Sequence, residues 1–320
     1  MTSVFFEVIR PGINSTFQDL GRKHLYHIGL PFSGAMDQRN FLISNSLVGN
    51  KKNEPVLEIA YQGPLLKLKN DNTYFAITGN VNFKIKKKTS EIIDGVCYKT
   101  YSLNKDDELD IISTNKSVYG YLAISGGFKV EKFMDSCSTT TRAGVGGNNG
   151  NKILINQKIY INNYKDILTI KKINFLNPKI EFIRILKGTN FNYFSENSIQ
   201  KFLSEEFTVT KLTDRMGMRL KGPRLENNKE TNIKSEGLIK GVIQVPADGN
   251  PIIMLSDHGT IGGYPKIAVV ISADYDKLVQ LPINTKIKFK LIELKEAEKL
   301  YKLYKMETDN LLSQIWWAYF

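Results

Sequence analysis

The sequence contains little cysteine and histidine, with two cysteines and three histidines among 320 residues. Cys97 and Cys137 are too few for a disulfide framework or a cysteine-based zinc site. His24 and His27 lie three residues apart, but no third ligand stands at a suitable spacing, so we expect no metal site. The scarcity of cysteine is typical of a reducing, cytoplasmic setting, which we predict for this protein.

Long hydrophobic runs are also missing. No apolar stretch approaches the roughly 20 residues that a membrane-spanning helix needs. The N-terminal segment contains an acidic residue at Glu7 and therefore lacks the apolar core of a signal peptide. We therefore expect neither a secretory signal nor a membrane contact.

The net charge of +12 raises the question of nucleic-acid binding. The lysines are scattered along the chain, and lysine, asparagine and isoleucine are abundant together. The densest lysine run, Lys84–Lys88, alternates like a solvated edge strand. These features favour a solvated basic surface, and we predict no nucleic-acid partner.

Short apolar segments between glycine and proline turns dominate the chain. Val56–Ala60 and Leu65–Leu68, for example, flank the turn at Gln62–Pro64. Helices are predicted at Asp37–Val48 and Ser195–Leu203, where Asp37 and Ser195 are suitable caps. The pattern predicts a mainly β protein with a few helices, an α+β class, built as a barrel or sandwich.

We predict three parts along the chain. Residues 1–180 form an N-terminal β-rich lobe with one helix, and residues 181–293 form a C-terminal β-barrel lobe. Residues 294–320 form a helical tail, because Leu294, Ala297 and Leu300 follow a helical spacing. Trp316 and Trp317 in this tail either pack back on the protein or contact a partner.

The segment Gly262-Gly263-Tyr264-Pro265-Lys266 is the strongest candidate for a site. Glycines let a backbone approach a ligand closely, and a lysine neutralises developing negative charge. Asp257 and His258 precede this segment. Asp248 is either a base or the residue that sets an Asp-Gly turn. We expect the turns that carry Asp248 and Asp257 to lie at the same end of the barrel.

Three further segments offer anion-binding groups. Ser33, Gly34 and the helix-start amides near Asp37 are suited either to an anion or to plain helix capping. Arg142 lies in a glycine-rich stretch that lacks the ending of a phosphate-binding P-loop, and forms either a mobile loop or a hairpin. Arg215, beside Asp214, forms either a bidentate clamp or a structural ion pair.

Five sequence blocks together resemble the allophanate hydrolase subunit 2-like family, which includes the C subunit of 5-oxoprolinase and the KipA-type proteins. They cover about residues 8–290 in the expected order. The blocks are Pro11–Arg22; Gly29–Asp37; Asn45–Asn50 with Leu57-Glu58; Asp214–Leu220 with Gly222-Pro223; and Ser235–Gly237 through Gln244–Gly249 to Gly262–Lys266. The chain departs from the family pattern at His24, at Cys137–Thr141 and at Asp257–Ile261, where His258-Gly259 replaces the usual residues.

The resemblance implies a cyclophilin-like β-barrel and a subunit 1-like (KipI-type) partner. In the bacterial 5-oxoprolinase the two act together in the ATP-dependent activation of 5-oxoproline, with magnesium, and a third subunit opens the ring to give glutamate. A related module carries out carboxyl transfer in biotin-dependent urea carboxylase. KipA-type regulators bind the inhibitor of a sporulation kinase. Biotin is expected only under the carboxylase alternative, and this chain has no biotinyl-lysine motif.

Of these three function classes we rank the 5-oxoprolinase subunit first. Phosphorylation of the inert lactam oxygen requires cations and amide donors around the phosphoryl group. Lys266, Arg215 and the amides of Gly262 and Gly263 are the expected groups, and Tyr264 is expected to contact the substrate. Asp248 or Asp257 is expected to steer a proton or a metal ion.

Overall fold

The fold is described from a computed structural model, which covers residues 3–162, 170–175, 181–229 and 232–317. The chain divides into two compact units. The first comprises Met1–Arg22, Ser33–Leu176 and Glu307–Phe320, and the second Lys23–Phe32 and Asn177–Met306. The sequence predicts instead a single boundary at 180/181 and a separate tail from 294. Segment 23–32 thus belongs to the second unit, although the residues on both sides of it belong to the first. The end of the tail, from Glu307, belongs to the first unit, although the start of the tail belongs to the second.

The first unit contains two antiparallel sheets and one helix of its own. The sheet orders are β11-β1-β4-β9-β6-β7 and β2-β3-β10-β5-β8. The helix is α1 (Gln38–Leu47). The strands are β1 (Phe5–Arg10), β2 (Asn14–Gln18), β3 (Val56–Ala60), β4 (Leu65–Lys69), β5 (Thr73–Thr78), β6 (Val81–Lys86), β7 (Ile92–Asp94), β8 (Thr100–Leu103), β9 (Glu108–Thr114), β10 (Tyr119–Ile124) and β11 (Lys158–Tyr160).

Alternating apolar residues from the two sheets of the first unit form one hydrophobic core. Phe6 and Leu66 from one sheet and Phe75 and Leu122 from the other are all fully buried in it. This period-two alternation is what a strand with one buried face requires. The core therefore lies between the inner faces of the two sheets.

The strand with the lysine run is not an edge strand. β6 lies between β9 and β7, so the predicted edge position of Lys84–Lys88 is wrong. Lys86 instead pairs with Asp110 at 2.9 Å and Lys87 with Asp107 at 2.8 Å. Neighbouring carboxylates thus offset part of this local positive charge.

The second unit contains an eight-stranded sheet that curls into a nearly closed barrel. Its order is β20-β13-β14-β17-β16-β19-β12-β21, beside a small β15-β18 pair. The strands are β12 (Ile183–Lys187), β13 (Phe207–Val209), β14 (Gly217–Lys221), β15 (Glu236–Gly237), β16 (Val242–Gln244), β17 (Ile252–Met254), β18 (Ile261–Gly262), β19 (Lys266–Val270), β20 (Lys286–Ile287) and β21 (Phe289–Leu291). The predicted barrel in a mainly β fold is confirmed.

Three further helices are α2 (Glu196–Ser204), α3 (Ser272–Val279) and α4 (Leu294–Trp317). α2 begins at the predicted Ser195 cap, whose hydroxyl accepts from Ser198 N. α3, which follows the end of β19 at Val270, was not predicted. α4 begins where the helical tail is predicted. Residues 318–320 and the side chains of Trp316 and Trp317 lie outside the described part, so the role of the tryptophans stays a prediction. Within the described ranges, no helix combines the length and apolar character that crossing a membrane requires.

Helix α1 is capped as the sequence predicts. Asp37 Oδ1 accepts a hydrogen bond from Asn40 N at 3.0 Å, and the residue is 1% exposed. Buried backbone amides are costly without partners, so this carboxylate stabilises the start of the helix. We therefore expect a cap mutation to act on stability.

Replacing Asp37 with alanine should lower the free energy of unfolding by about 2 kcal/mol, because the Asn40 amide loses its buried acceptor. Ser195→Ala, at the partly buried cap of α2, is the matched control and should cost about 1 kcal/mol. Urea unfolding followed by circular dichroism measures both values. A smaller loss for Asp37→Ala than for Ser195→Ala would contradict the capping role.

Candidate functional site

Lys266 is a buried cation at the start of β19. Its side chain is 5% exposed, and Nζ lies 2.8 Å from Glu236 Oε2, whose own side chain is 48% exposed. The backbone N–H of Lys266 donates to Asn190 Oδ1 at 3.0 Å, which fixes the strand start. A buried ammonium thus faces a carboxylate that solvent can reach. The positive charge of Lys266 is therefore held in place before any anion binds.

The loop before Lys266 packs closely against neighbouring side chains. A Cβ on Gly262 would lie 2.7 Å from Gln244 Nε2 and 2.8 Å from Leu238 Cδ1, so a larger residue there would displace these two side chains. Gln244 Nε2 donates to the carbonyl of Tyr264 at 3.1 Å, and the Tyr264 side chain is 40% exposed. Gly262 and Tyr264 are therefore held near Lys266, as the sequence predicts.

The small β15-β18 pair places the carboxylate opposite the lysine. Glu236 in β15 pairs with Gly262 in β18, and Gly263 O accepts from Ile233 N at 2.9 Å. These bonds hold segment 233–238 along the loop. Glu236 is a residue that sequence analysis missed, although it lies in the Ser235-Glu236-Gly237 block.

Arg215 and Asp257 form a bidentate buried ion pair. Arg215 Nε and Nη2 donate to Asp257 Oδ2 and Oδ1 at 2.8 Å and 3.0 Å, and the two side chains are 7% and 5% exposed. The alternative of an ion pair between Arg215 and its neighbour Asp214 is wrong. Asp214 Oδ1 instead accepts from the backbone of Met216 and Gly217 and sets the turn before β14.

His258 is a buried, neutral imidazole. Its Nδ1 lies 2.6 Å from Gly259 O, and a carbonyl oxygen can only accept, so Nδ1 carries the proton. Burial lowers the pKa of His258, which keeps the ring neutral near pH 7. Nε2 is then an acceptor, and the Tyr26 hydroxyl donates to it at 3.1 Å. Segment 23–32 is thereby connected to the loop after β17.

Lys240 and Tyr275 complete the surroundings of the Arg215–Asp257 pair. Lys240 Nζ lies 4.2 Å from the centroid of the Tyr275 ring. The Tyr275 hydroxyl is 3.4 Å from Ser256 Oγ, next to Asp257. No spacing motif marks Lys240 or Tyr275 in the sequence, because they approach this cluster only through the fold.

The candidate residues divide between the two ends of the central barrel strands. β16 and β17 are antiparallel, with Gln244 opposite Ile252, so Asp248 precedes β17 and Asp257 follows it. The expectation that these two turns share one end is therefore wrong. Lys266, opposite Gln244, begins β19 at the Asp248 end. Arg215, Asp257 and His258 lie at the other.

Asp248 is exposed and sets a turn. Its carboxylate accepts from Asn250 N at 3.0 Å and from Asn250 Nδ2 at 3.1 Å. This is the geometry of an Asx turn, in which the aspartate satisfies the backbone two residues ahead. The structure thus supports the turn alternative for Asp248, and we propose no catalytic role for it.

Protein groups occupy the helix-start amides in the first unit. Met36 N donates to Glu58 Oε2 at 2.8 Å and Asp37 N to the Tyr121 hydroxyl at 2.7 Å. Gly34 has φ +85°, and a Cβ there would lie 2.9 Å from Gly21 N. Ser33, with φ 57°, precedes it in the same tight turn. These contacts support the capping alternative for Ser33, Gly34 and Asp37.

The glycine-rich stretch forms a hairpin. Thr140 and Val145 are bridge partners, and Thr140 N donates to Val145 O at 2.9 Å. Arg142 lies exposed at its tip. Among the described residues, no group of three or more histidine, cysteine, aspartate or glutamate side chains could hold a metal ion.

Comparison with known proteins agrees with the resemblance seen in the motifs. Residues 28–291 match the family described as carboxyltransferase domain, subdomain A and B. The 5-oxoprolinase C subunit of Haemophilus influenzae is 32% identical over 298 residues, or 93% of this chain and 94% of that protein. The 5-oxoprolinase C subunit of Escherichia coli is also 32% identical, over 92% of this chain and 93% of that protein. The predicted family is confirmed.

Larger enzymes contain a similar module. The Saccharomyces cerevisiae urea amidolyase is 27% identical over 92% of this chain, which is 17% of that enzyme. The crystal structure of Kluyveromyces lactis urea carboxylase matches 97% of this chain and 29% of that chain, with a TM-score of 0.87 and 25% identity. The fold is therefore shared with this urea carboxylase.

Removing one member of the Arg215–Asp257 pair should be costly. We expect Asp257→Ala and Arg215→Met each to lower the free energy of unfolding by about 3–5 kcal/mol, because each removes the bidentate partner of a buried charge. The double variant should cost less than the sum. The exposed Lys286–Glu206 pair, at 3.1 Å, is the control cycle and should show coupling of about 0–1 kcal/mol. Additive losses in urea unfolding would rule out coupling between Arg215 and Asp257.

The lowered pKa of His258 predicts a pH dependence of stability. The unfolded state takes up a proton near pH 6.5, but the folded state does so only at lower pH. The stabilisation is therefore complete above about pH 6.5 and is lost as pH falls through the folded pKa. His258→Gln should remove this part of the acid destabilisation in urea unfolding at pH 7.5 and 5.5, whereas the exposed His27→Gln control should retain it. Equal pH dependence in wild type and His258→Gln would contradict the assignment.

Proposed function

Because this chain belongs to the carboxyltransferase domain family, subdomains A and B, we propose that it is the C subunit of an ATP-dependent 5-oxoprolinase. The observation that carries the proposal is the match to two 5-oxoprolinase C subunits along nearly their whole length. The match to urea amidolyase covers a small part of that enzyme. Identity is also higher to the 5-oxoprolinase subunits.

The proposed reaction opens a cyclic amide that resists water because resonance stabilises its C–N bond. The γ-phosphoryl group of ATP moves to the lactam oxygen, ADP leaves, and the amide nitrogen loses its proton. Water then adds to the activated carbon, the ring C–N bond breaks and the nitrogen takes up a proton, which gives an acyl phosphate. A second water releases phosphate from it and leaves glutamate. The first step needs cationic groups around the transferred phosphoryl group.

We assign Lys266 as the cationic group that stabilises the transferred phosphoryl group. Its ammonium is buried and held at the start of a barrel strand, where it loses little orientation freedom on binding an anion. Glu236 holds the ammonium in the resting protein and, being half-exposed, can turn toward solvent when the anion arrives. The Gly262–Tyr264 loop lies beside it and offers backbone amides and a phenol.

The Arg215–Asp257 pair is assigned a supporting role. Each Asp257 oxygen already accepts from Arg215, so this carboxylate is a weak candidate for a proton acceptor. The pair instead fixes the turns that follow β17 and precede β14. We propose that Arg215 keeps the adjacent loop in position and does not clamp substrate.

The remaining components of the enzyme are proposed from the family. They are a subunit 1-like (KipI-type) partner, a third subunit that opens the lactam, and ATP with magnesium as the phosphoryl donor. The names of the relatives, which are C subunits, support an assembly of several subunits. A cytoplasmic location follows from the proposed substrate and from the low cysteine content.

Carboxyl transfer is the second candidate, and the fold match to urea carboxylase favours it. In that case carboxybiotin on a separate carrier protein would supply the carboxyl group. Lys266 would then face a carboxylate in place of a phosphoryl group. Substrate assays separate the two reactions.

The assignment is tested by reconstituting the purified chain with its subunit 1-like partner and the third subunit. ADP and glutamate formation should depend on 5-oxoproline and should cease when this chain is omitted. Turnover without this chain would overturn the assignment. Carboxylation of urea by a biotin carrier, with no turnover of 5-oxoproline, would favour the second candidate.

In this assay Lys266→Met should lower kcat/KM by about 10²–10³, the usual loss when one charge-stabilising donor is removed. Lys286→Met removes a lysine from an exposed Lys–Glu pair and is the matched control. It should retain wild-type activity. Full activity of Lys266→Met would exclude the assigned role.

A further inference from the structure

The pairing of β19 with β16 is irregular at Lys266. Ile243 of β16 is opposite Ala268 of β19 in the regular antiparallel register. The next residue of β16, Gln244, is opposite Lys266 and not Ile267. Two residues of β19 therefore correspond to one residue of β16, which is a β-bulge. Bulges change the direction in which side chains point, and they are common next to active sites.

The bulge determines which face of the sheet carries the Lys266 side chain. Residues directly opposite each other on antiparallel strands share a face, and side chains alternate between the two faces along a strand. Ile243 and Ala268 are fully buried. In an unbroken register, Lys266 would share this buried face with Ala268, which is two residues further along the strand. Lys266 instead lies opposite Gln244, on the face away from Ile243.

The face that carries Gln244 also meets β15. Leu238, which directly follows β15, packs with Val242, and Val242 shares its face with Gln244 two residues later. Glu236 of β15 lies two residues before Leu238, and its Oε2 is 2.8 Å from Lys266 Nζ. The bulge thus directs the ammonium toward Glu236 and away from the buried apolar face.

The turn that follows β12 holds this bulge through three hydrogen bonds. Gly188 N donates to Ile267 O at 2.9 Å. Asn190 N donates to Lys266 O at 3.1 Å, and Lys266 N donates back to Asn190 Oδ1 at 3.0 Å. The Thr189 hydroxyl also donates to Asn190 Oδ1, at 3.3 Å. These two donors together fix the orientation of the Asn190 amide.

Gly188 lets the turn approach the strand this closely. A Cβ on Gly188 would collide with Lys266 O and lie 2.7 Å from Ala268 N, and both of these are backbone atoms of β19. Asn190 and Lys266 are both buried, so water is poorly placed to replace the Asn190 side chain as acceptor for the Lys266 amide. The bulge therefore depends on contacts from this turn.

We propose that Asn190 is a positioning residue for Lys266. By holding the bulge at the start of β19, it keeps the ammonium on the face that carries Glu236. The proposal rests on the proposed function, in which Lys266 stabilises the transferred phosphoryl group. Asn190 acts through Lys266 and not on the substrate, so its effect on catalysis should be present only while Lys266 is present.

The first test measures the contact between Lys266 and Glu236 and needs no enzymatic activity. Urea unfolding of the full-length chain gives the unfolding equilibrium constants of wild type, Lys266→Met, Glu236→Gln and the double variant. The two changes should be non-additive by about fivefold in this constant, as is usual for residues in contact. The same cycle in the Asn190→Ala background should be close to additive. Unchanged coupling in that background would overturn the proposal.

Thr189→Val is a milder second variant for this cycle. Thr189 is exposed, so the substitution should leave the chain folded, but it removes one of the two donors that orient the Asn190 amide. The coupling between Lys266 and Glu236 should fall in the same direction and by less than in Asn190→Ala. A Thr189→Val chain with wild-type coupling would contradict the role of this amide orientation.

Kinetics of the reconstituted complex give the second test. Asn190→Ala should lower kcat about 10–100-fold with little change in KM, because a misplaced charge weakens transition-state stabilisation more than substrate binding. Asn190→Asp keeps an acceptor for the Lys266 amide and should restore most of kcat. In the Lys266→Met background, Asn190→Ala should cause no further loss. An additive loss there, or a wild-type kcat in Asn190→Ala, would overturn the proposal.

Asn72→Ala is the matched control for both tests. Asn72 Oδ1 accepts from Lys105 N at 3.0 Å, which is the same kind of bond at the same length in the first unit. Its loss should leave kcat, KM and the coupling between Lys266 and Glu236 unchanged. If the wild-type complex does not turn over 5-oxoproline, the proposed function fails, but the coupling measured by unfolding still decides whether Asn190 positions Lys266.

Discussion

Closure of the barrel in the second unit is the constraint on which the described sites depend. β20 and β21 occupy opposite edges of the eight-stranded sheet, yet only Lys288 separates them in the chain. Laid flat, eight strands would span about 34 Å, which one residue cannot bridge. The sheet therefore curls until its two edge strands meet, with β21 paired in parallel to β12 on one side and β20 paired to β13 on the other. This closure decides which turns meet at each end of the barrel.

Each end of the central strands then carries its own electrostatic arrangement. At one end the buried Lys266 faces Glu236, which solvent can reach. At the other, Arg215 and Asp257 form a buried bidentate pair, and Lys240 lies over the Tyr275 ring. A buried cation with an exchangeable partner is suited to binding an anion, whereas a saturated bidentate pair is suited to holding loops in place. The same residue types therefore take different roles because their partners differ.

His258, where the sequence motifs predict a departure from the family pattern, makes local contacts only. The imidazole is neutral, donates from Nδ1 to Gly259 O and accepts from Tyr26. It therefore contributes no positive charge to the loop, but it connects segment 23–32 to the barrel unit. The cationic side chains described at this barrel end are those of Arg215 and Lys240.

Local patterns in the sequence were enough to predict the mainly β class, the family, the caps at Asp37 and Ser195, and the candidacy of Gly262–Lys266, because these depend on periodicity, turn chemistry and short motifs. These local patterns do not predict which side chains pair when the residues are distant in the sequence. The pairing of Arg215 with Asp257, of Lys266 with Glu236 and of Lys240 with Tyr275 follows from strand order and register. Asp248 and Asp257 lie nine residues apart, yet one antiparallel strand places them at opposite ends of the barrel. These relations come from the three-dimensional fold, since charge pairing depends on distance in space and not on separation along the chain.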